Sequence, residues 1–519
     1  MSVTVRALPL AHWWEPALVF QTIYGTSSHA FWLDAGCAAT SGFSYLGAAT
    51  ERSRFVTASV ASGTVTVTMP AEAVDLPPTP PLTVEHTIFE YLGAELAGFG
   101  PLHPSGGDAP DAPDEADAGG FRLGWVGWLG YELGAQTIGT PVHESRYPDA
   151  ALLFVDRALV FDHAAREVTV LALLETGQDA HDLVELGLWM SELESRLEVA
   201  RRDALRAEAV TGPAASATPA TADTRGTSGT PGTSDTPATA DPAPITVRWR
   251  HSDQEYADLI RRCQRSITAG DAYQICLTNE IELDLHPDPL EVYLALRAGS
   301  PSHHGGLLRF GEFALLSASP EQFLSVTSDG HVTTKPIKGT RPRGADHADD
   351  AVLQAELLAS DKERAENLMI VDLMRNDLGR IAKLGSVAVS HLLAVESYAH
   401  VHQLVSTIEA DLAPGVTSVD ALVACFPAGS MTGAPKRSAM TILDELEAGP
   451  RGIYAGAFGY LGLDGAVDLA MVIRSIVLDS EGATIGTGGG ITALSDPLEE
   501  IEETRVKAAA LLAALGVRV

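Results

Sequence analysis

The sequence predicts an α+β fold built on largely antiparallel sheet, and three observations lead there. Runs rich in β-branched residues alternate with period two in both halves of the chain. Helical stretches interrupt them without a regular βαβ rhythm. With 519 residues, 45% of them hydrophobic and 20% charged, the chain can bury a large core and is not wholly disordered. At roughly 150 residues per domain it holds about two to four domains' worth of sequence.

Two low-complexity stretches organise the elements. Residues 101–120 (PLHPSGGDAPDAPDEADAGG) and the Thr/Ala/Pro/Gly run at 211–245 have little to bury and read as loop and linker. The second divides an N-terminal region, 1–210, from a C-terminal domain, 246–519. In the first region, 55–69 and 151–174 read as strands, and 182–208 as an exposed helix leading into the linker. In the second, 311–319 with 324–334 and 452–463 with 466–478 read as two strand pairs, while 351–381 is mostly helical.

Thirty-five basic against 68 acidic side chains give a net charge of −33. That balance argues against an obligate nucleic-acid or anionic-membrane partner, both of which reward basic surface. No apolar run is long enough to span a bilayer, and no signal peptide is expected. Four cysteines without CxxC spacing fit a reducing cytoplasm and neither a disulfide framework nor a zinc site.

Five constellations carry chemistry. In DKERAENLMIVDLMRNDLGR, Glu363 and Glu366 share a helix face, on a helix whose apolar residues run nearly all round and so predict burial. In SDPLEEIEETRVK, Asp496 is placed to cap a helix, with Pro497 in its first turn and Glu499 at capping-box spacing. On that helix Glu500, Glu503 and Lys507 again share a face. Two carboxylate pairs together suit Mg²⁺, a hard cation, although each pair alone reads more readily as a solvated acidic face. The run GTGGG at 486–490 lets backbone N–H groups approach an anion, or is simply a flexible turn. PIKGTRPRG at 336–344 holds Lys338 near two arginines, a setting for a desolvated amine of lowered pKa or an ordinary basic loop. Glu321 of Ser-Pro-Glu ends a strand as a possible general acid, and FPAGSMTGAPK at 426–436 gathers turn formers around hydroxyls, as in a shaped binding loop.

In their joint order, SPE, PIKGTRPRG, ERAENLMIVDLMRNDLGR, FPAGSMTGAPK, GIYAGAFGY, VIRS, GTGGG and EEIEET resemble the chorismate-utilising enzymes across the whole C-terminal domain. HAFWLDAG, GFSYLGA and FRLGWVGWLGYELG resemble the N-terminal region of para-aminobenzoate and anthranilate synthase large subunits. The resemblance implies a large, mostly antiparallel β-sandwich surrounded by helices. It implies chorismate held through Mg²⁺, with Glu366 and Glu500 as ligands and Glu363 and Glu503 as direct or water-mediated support. It places Tyr454, Arg474 and the backbone of Gly488, Gly489 and Gly490 at the substrate carboxylates, Thr432 and Lys507 at further pocket positions, and Glu321 as the acid that protonates the departing C4 hydroxyl.

Two positions sort the family's branches by the same resemblance. Where isochorismate and salicylate synthases carry a water-activating lysine, this chain has Gln274, which has no basic nitrogen. Where anthranilate synthases usually have alanine, it has Lys338, the mark of the aminodeoxychorismate synthase branch, in which the amine attacks C2 and ammonia then attacks C4. No glutaminase motif occurs here, so ammonia is expected from a separate glutamine amidotransferase or from solution. Gln403 stands where anthranilate synthases have a histidine. The alternatives are an anthranilate synthase component that releases pyruvate, or a non-catalytic chorismate- or tryptophan-binding relative.

Overall fold

The computed structural model describes residues 3–37, 39–70, 80–99, 120–175, 179–211, 245–398 and 401–517. Residues 101–119 of the low-complexity loop and 212–244 of the linker lie outside the described residues. The described strands form two twelve-stranded sheets, and every strand pairing is antiparallel. Helices cover the outside: Asp253–Ala269, Pro289–Gly299 and Pro497–Ala514 pack on the first sheet, His347–Ala359 and Asp361–Gly379 on the second. The fold is α+β, as the alternation in the sequence predicts.

Strands from both sides of the linker interleave. His29–Asp34 pairs with His304–Phe310 in the first sheet, and Gly124–Leu129 pairs with Ala457–Gly462 in the second. The inner faces meet over Phe31, Trp128, Phe310 and Phe458, all essentially buried, with Trp128 stacked on Phe310 at 5.3 Å. Burying each such side chain stabilises the sandwich by about 1.5–3 kcal/mol, and its aligned faces need close fit. Gly306 shows that fit, since a Cβ there would come within 2.6 Å of Phe458 on the opposite sheet.

Both expected strand pairs are corrected in part. Phe313–Ser319 and Gln322–Val326 do not pair; the first lies in one sheet and the second in the other, each in its own hairpin. Likewise Ala457–Gly462 and Val467–Met471 pair as expected, but Ser475–Asp479 has crossed to the opposite sheet. Alternation marks a strand's faces but not its neighbour, so it cannot register a crossing.

Two helix readings also change. Asp361–Gly379 buries one face only, through Glu366, Asn367, Ile370, Val371 and Met374, and leaves Leu368 exposed. The predicted 351–381 helix is two helices, broken at Ser360, whose hydroxyl caps the second by accepting from the Glu363 N–H. The helix Pro497–Ala514 starts where predicted. Asp496 accepts from the N–H groups of Leu498 and Glu499, without the reciprocal Glu499 bond that a capping box requires.

Candidate active site

The two crossings between sheets build one end of a cleft. At the first, between Phe313–Ser319 and Gln322–Val326, sits Glu321. Its buried carboxyl accepts from the Ser430 hydroxyl and the Ile337 N–H, and burial raises its pKa against the opposing pull of Lys338. At the second, between Val467–Met471 and Ser475–Asp479, sits Arg474, held at φ 52°. A non-glycine residue in that left-handed region is strained and is seldom placed there without tertiary support. Burial lowers the Arg474 pKa, opposed by Tyr454 and Glu503, and the guanidinium makes no ion pair with any described residue.

Lys338 comes from the edge strand Ile337–Pro342, which pairs with Val401–Asp411 through a register shift between Ile337 and Thr340. The irregularity needs Gly339 at φ 86°, where a Cβ would lie 2.8 Å from Leu357 and 2.9 Å from the Glu363 carboxyl carbon. Burial alone would lower the Lys338 pKa, but the Cys276 sulfur and the carboxylates of Glu321, Glu366 and Glu503 outweigh it. The pKa is raised. This corrects the expected lowering: the two nearby arginines are occupied elsewhere, Arg341 by both oxygens of Glu363 at 2.8 and 3.2 Å and Arg343 by Asp350.

The glycine run is not a turn before a helix. It lies inside the strand Gly482–Ile491, paired with Gln274–Leu283. Carboxylates from the two helices come down on it: a Cβ on Gly489 would sit 2.9 Å from Glu500 Oε2, and one on Gly490 would sit 2.2 Å from Gln274 Nε2 and 3.7 Å from Glu366 Oε2. Lys362 pairs with Glu500 at 3.1 Å, and Lys507 bridges Glu503 at 2.7 Å and the Gly488 carbonyl at 2.8 Å. Burial raises the Glu366 pKa, countered by Lys338 and Lys362. For Glu503 the cations Lys507, Lys362 and Lys338 outweigh burial and lower the pKa. The cleft thus gathers Glu321, Lys338, Gln274, Glu366, Glu500, Glu503, Lys507, Arg474 and the glycine strand. Tyr454 lies against Gly486 of that strand.

Three candidates stand apart. Glu363 is committed to Arg341. Thr432 is fully buried with its hydroxyl donated to the Ala428 carbonyl at 3.1 Å, so its contribution is to shape the loop. Gln403 is buried on the strand Val401–Asp411, its Oε1 without a partner. Among the described residues no three His, Cys, Asp or Glu side chains are drawn close enough to hold a metal as they stand. The donor set still suits a hard cation: Glu366, Glu500 and Glu503 repel one another, and Gly489 and Gly490 place no side chain against Glu500 Oε2 and Glu366 Oε2.

Sequence reasoning missed the residues that hold this cleft in place. Arg451 is fully buried and donates to the carbonyls of Met431 at 2.6 Å and Cys276 at 2.8 Å, and to both oxygens of Glu447. Lys436 donates to Asp377 at 2.6 Å and to the Cys425 carbonyl at 2.9 Å. The Lys436 bond to Cys425 ties the two ends of the 426–436 loop and Arg451 holds its middle at Met431, beside the Ser430 that reaches Glu321. Their partners are distant in sequence, so no local pattern announced them.

A sheet sandwich whose crossing corners present an acid and a free arginine to an amine and three carboxylates defines a class. The chain belongs to the chorismate binding enzymes, whose family profile matches residues 102–513. The aminodeoxychorismate synthase of Streptomyces griseus is 42% identical over 520 residues, covering 99% of this chain and 64% of that protein. The aminodeoxychorismate synthase of Streptomyces pristinaespiralis is 45% identical over 395 residues, covering 76% and 51%. The chain therefore spans less than two thirds of the length of either relative. Anthranilate synthase component 1 of Streptomyces coelicolor is 37% identical over 444 residues, 82% of this chain and 80% of that one. Among solved structures, anthranilate synthase component I from Streptococcus pneumoniae aligns with a TM-score of 0.64 at 26% identity, covering 96% and 97%. No described helix is long and apolar enough to cross a membrane.

Proposed function

We propose that this chain converts chorismate and ammonia to 4-amino-4-deoxychorismate, as the names of its Streptomyces griseus and Streptomyces pristinaespiralis relatives suggest. The observation that carries the reading is the Lys338 amine, in the same cleft as Glu321, on a strand irregular at that residue. Arg474, Tyr454 and the backbone of Gly488, Gly489 and Gly490 take the substrate's carboxylates, with Lys507 at the pocket's edge. Mg²⁺, held by Glu366, Glu500 and Glu503, would supply positive charge at a substrate carboxylate and neutralise the carboxylates that now raise the Lys338 pKa. Neutral Lys338 Nζ bonds to C2 as the ring double bond shifts and the C4 hydroxyl leaves with the proton of Glu321. Ammonia then bonds to C4, the double bond shifts back, and the lysine departs. A separate glutamine amidotransferase in the cytoplasm would supply the ammonia, and the pathway would lead to para-aminobenzoate and folate.

Anthranilate synthase activity is the second reading, because relatives of that name also match over most of their length. Product analysis with chorismate, Mg²⁺ and ammonium separates the two. Aminodeoxychorismate without pyruvate is expected; anthranilate with pyruvate would replace the first reading by the second.

A further inference from the structure

Behind the cleft, on the far side of Arg451, is a partly open void of about 20 Å³, room for about one water-sized molecule. The motif GWLGYELG lines it with Tyr131 and Glu132, and Arg451, Glu447, His143 and Asp444 complete it. Two groups there have no protein partner: the Tyr131 hydroxyl and Glu132 Oε2, on side chains more than nine-tenths buried. The other groups are spoken for. Glu132 Oε1 accepts the Arg451 N–H at 2.8 Å, Arg451 lies over the Tyr131 ring at 4.2 Å, and Glu447 is held by Arg451 and Thr278. An unpaired carboxylate oxygen and hydroxyl facing one small cavity are costly unless a small donor joins them.

We propose that this void is the binding site for the nitrogen co-substrate, ammonium or ammonia. The inference rests on the reaction proposed above. Ammonium donates to Glu132 Oε2 and to the Tyr131 oxygen; neutral ammonia donates to the first and accepts from the second. The partly exposed His143, paired with Asp444 at 3.4 Å, marks the outer wall. Arg451, through the Cys276 carbonyl, forms the inner wall against the strand that carries Gln274. Burial, opposed by backbone N–H donors including Arg451 and abetted by Asp149, pushes the Glu132 carboxyl up to about 8, so it also suits a proton passed from ammonium.

The test is steady-state kinetics with chorismate, Mg²⁺ and ammonium chloride on Glu132→Gln and, separately, Tyr131→Phe, which keeps the ring over Arg451. Above pH 8, where the Glu132 carboxyl is ionised, loss of its hydrogen bond should raise the KM for ammonium about tenfold or more in Glu132→Gln, and less in Tyr131→Phe. The KM for chorismate should stay within about twofold. An unchanged KM for ammonium in both variants would mean that the void holds water only and would overturn the site. A matching rise in the KM for chorismate would overturn it as well, showing a general disturbance of the cleft. Absence of any ammonium-dependent product from the wild type would instead remove the functional reading, and this inference with it.

Discussion

Two groups of charges meet at Cys276, and they are finished differently. On one side, Arg451 and Glu447 are buried together and saturated: the guanidinium meets two carbonyls and a carboxylate, and the carboxylate also takes the Thr278 N–H and hydroxyl. On the other, Lys338 and Arg474 are surrounded by charge yet make no ion pair with a described residue. Buried charges that hold a fold together must be hydrogen-bonded, because an uncompensated one costs several kcal/mol. Charges left open, in a cleft that keeps some solvent contact, carry that cost in exchange for being available to a ligand. The difference separates scaffold from chemistry without reference to any relative.

Substitutions should reproduce this division. Lys338→Ala should lower aminodeoxychorismate formation by at least about a hundredfold, or divert it to another product, while the thermal midpoint hardly moves. Arg451→Ala should do the reverse of a clean active-site change. It strands Glu447 in the core and should cost about 3–5 kcal/mol, read as a large fall in Tm. Arg474→Ala removes an unpaired, strained cation, so stability should hold while the KM for chorismate rises about tenfold or more. If Arg474→Ala unfolded the chain and Arg451→Ala did not, the contrast would be broken.

Smaller effects sharpen the same comparison. Glu321 has a raised pKa in spite of the Ser430 hydrogen bond, which pulls it down. A general acid works protonated, so kcat should fall as pH rises through that pKa. Ser430→Ala takes away a bond to the ionised form, raises the pKa further, and should move the alkaline limb of the kcat profile to higher pH. A limb moving to lower pH would show that Ser430 acts otherwise. Deletion of 212–244 should have the smallest effect, leaving kcat intact, since no candidate site residue lies there.

Much of this was legible in the sequence for physical reasons. Local signals survived: the cap at Asp496, the shared faces of Glu500, Glu503 and Lys507, and the strands found by alternation. The failures were non-local. Both places where the expected strand pairing broke are the crossings that carry Glu321 and Arg474, the acid and the unpaired cation of the cleft. A strand that changes sheets keeps its alternation, so the sequence shows no seam there. The lowered pKa expected for Lys338 failed similarly, because it depended on which arginines were already taken by Glu363 and Asp350. Arg451 and Glu132 lie 319 residues apart and gave no joint signal.

The most direct measurement of the central claim is the mass of the protein after incubation with chorismate and Mg²⁺ in the absence of ammonium. The lysine-nucleophile reading predicts an adduct equal to chorismate less one water, mapped to the peptide containing Lys338 and discharged by ammonium. An unmodified Lys338, together with aminodeoxychorismate formed by Lys338→Ala at the wild-type rate, would contradict it.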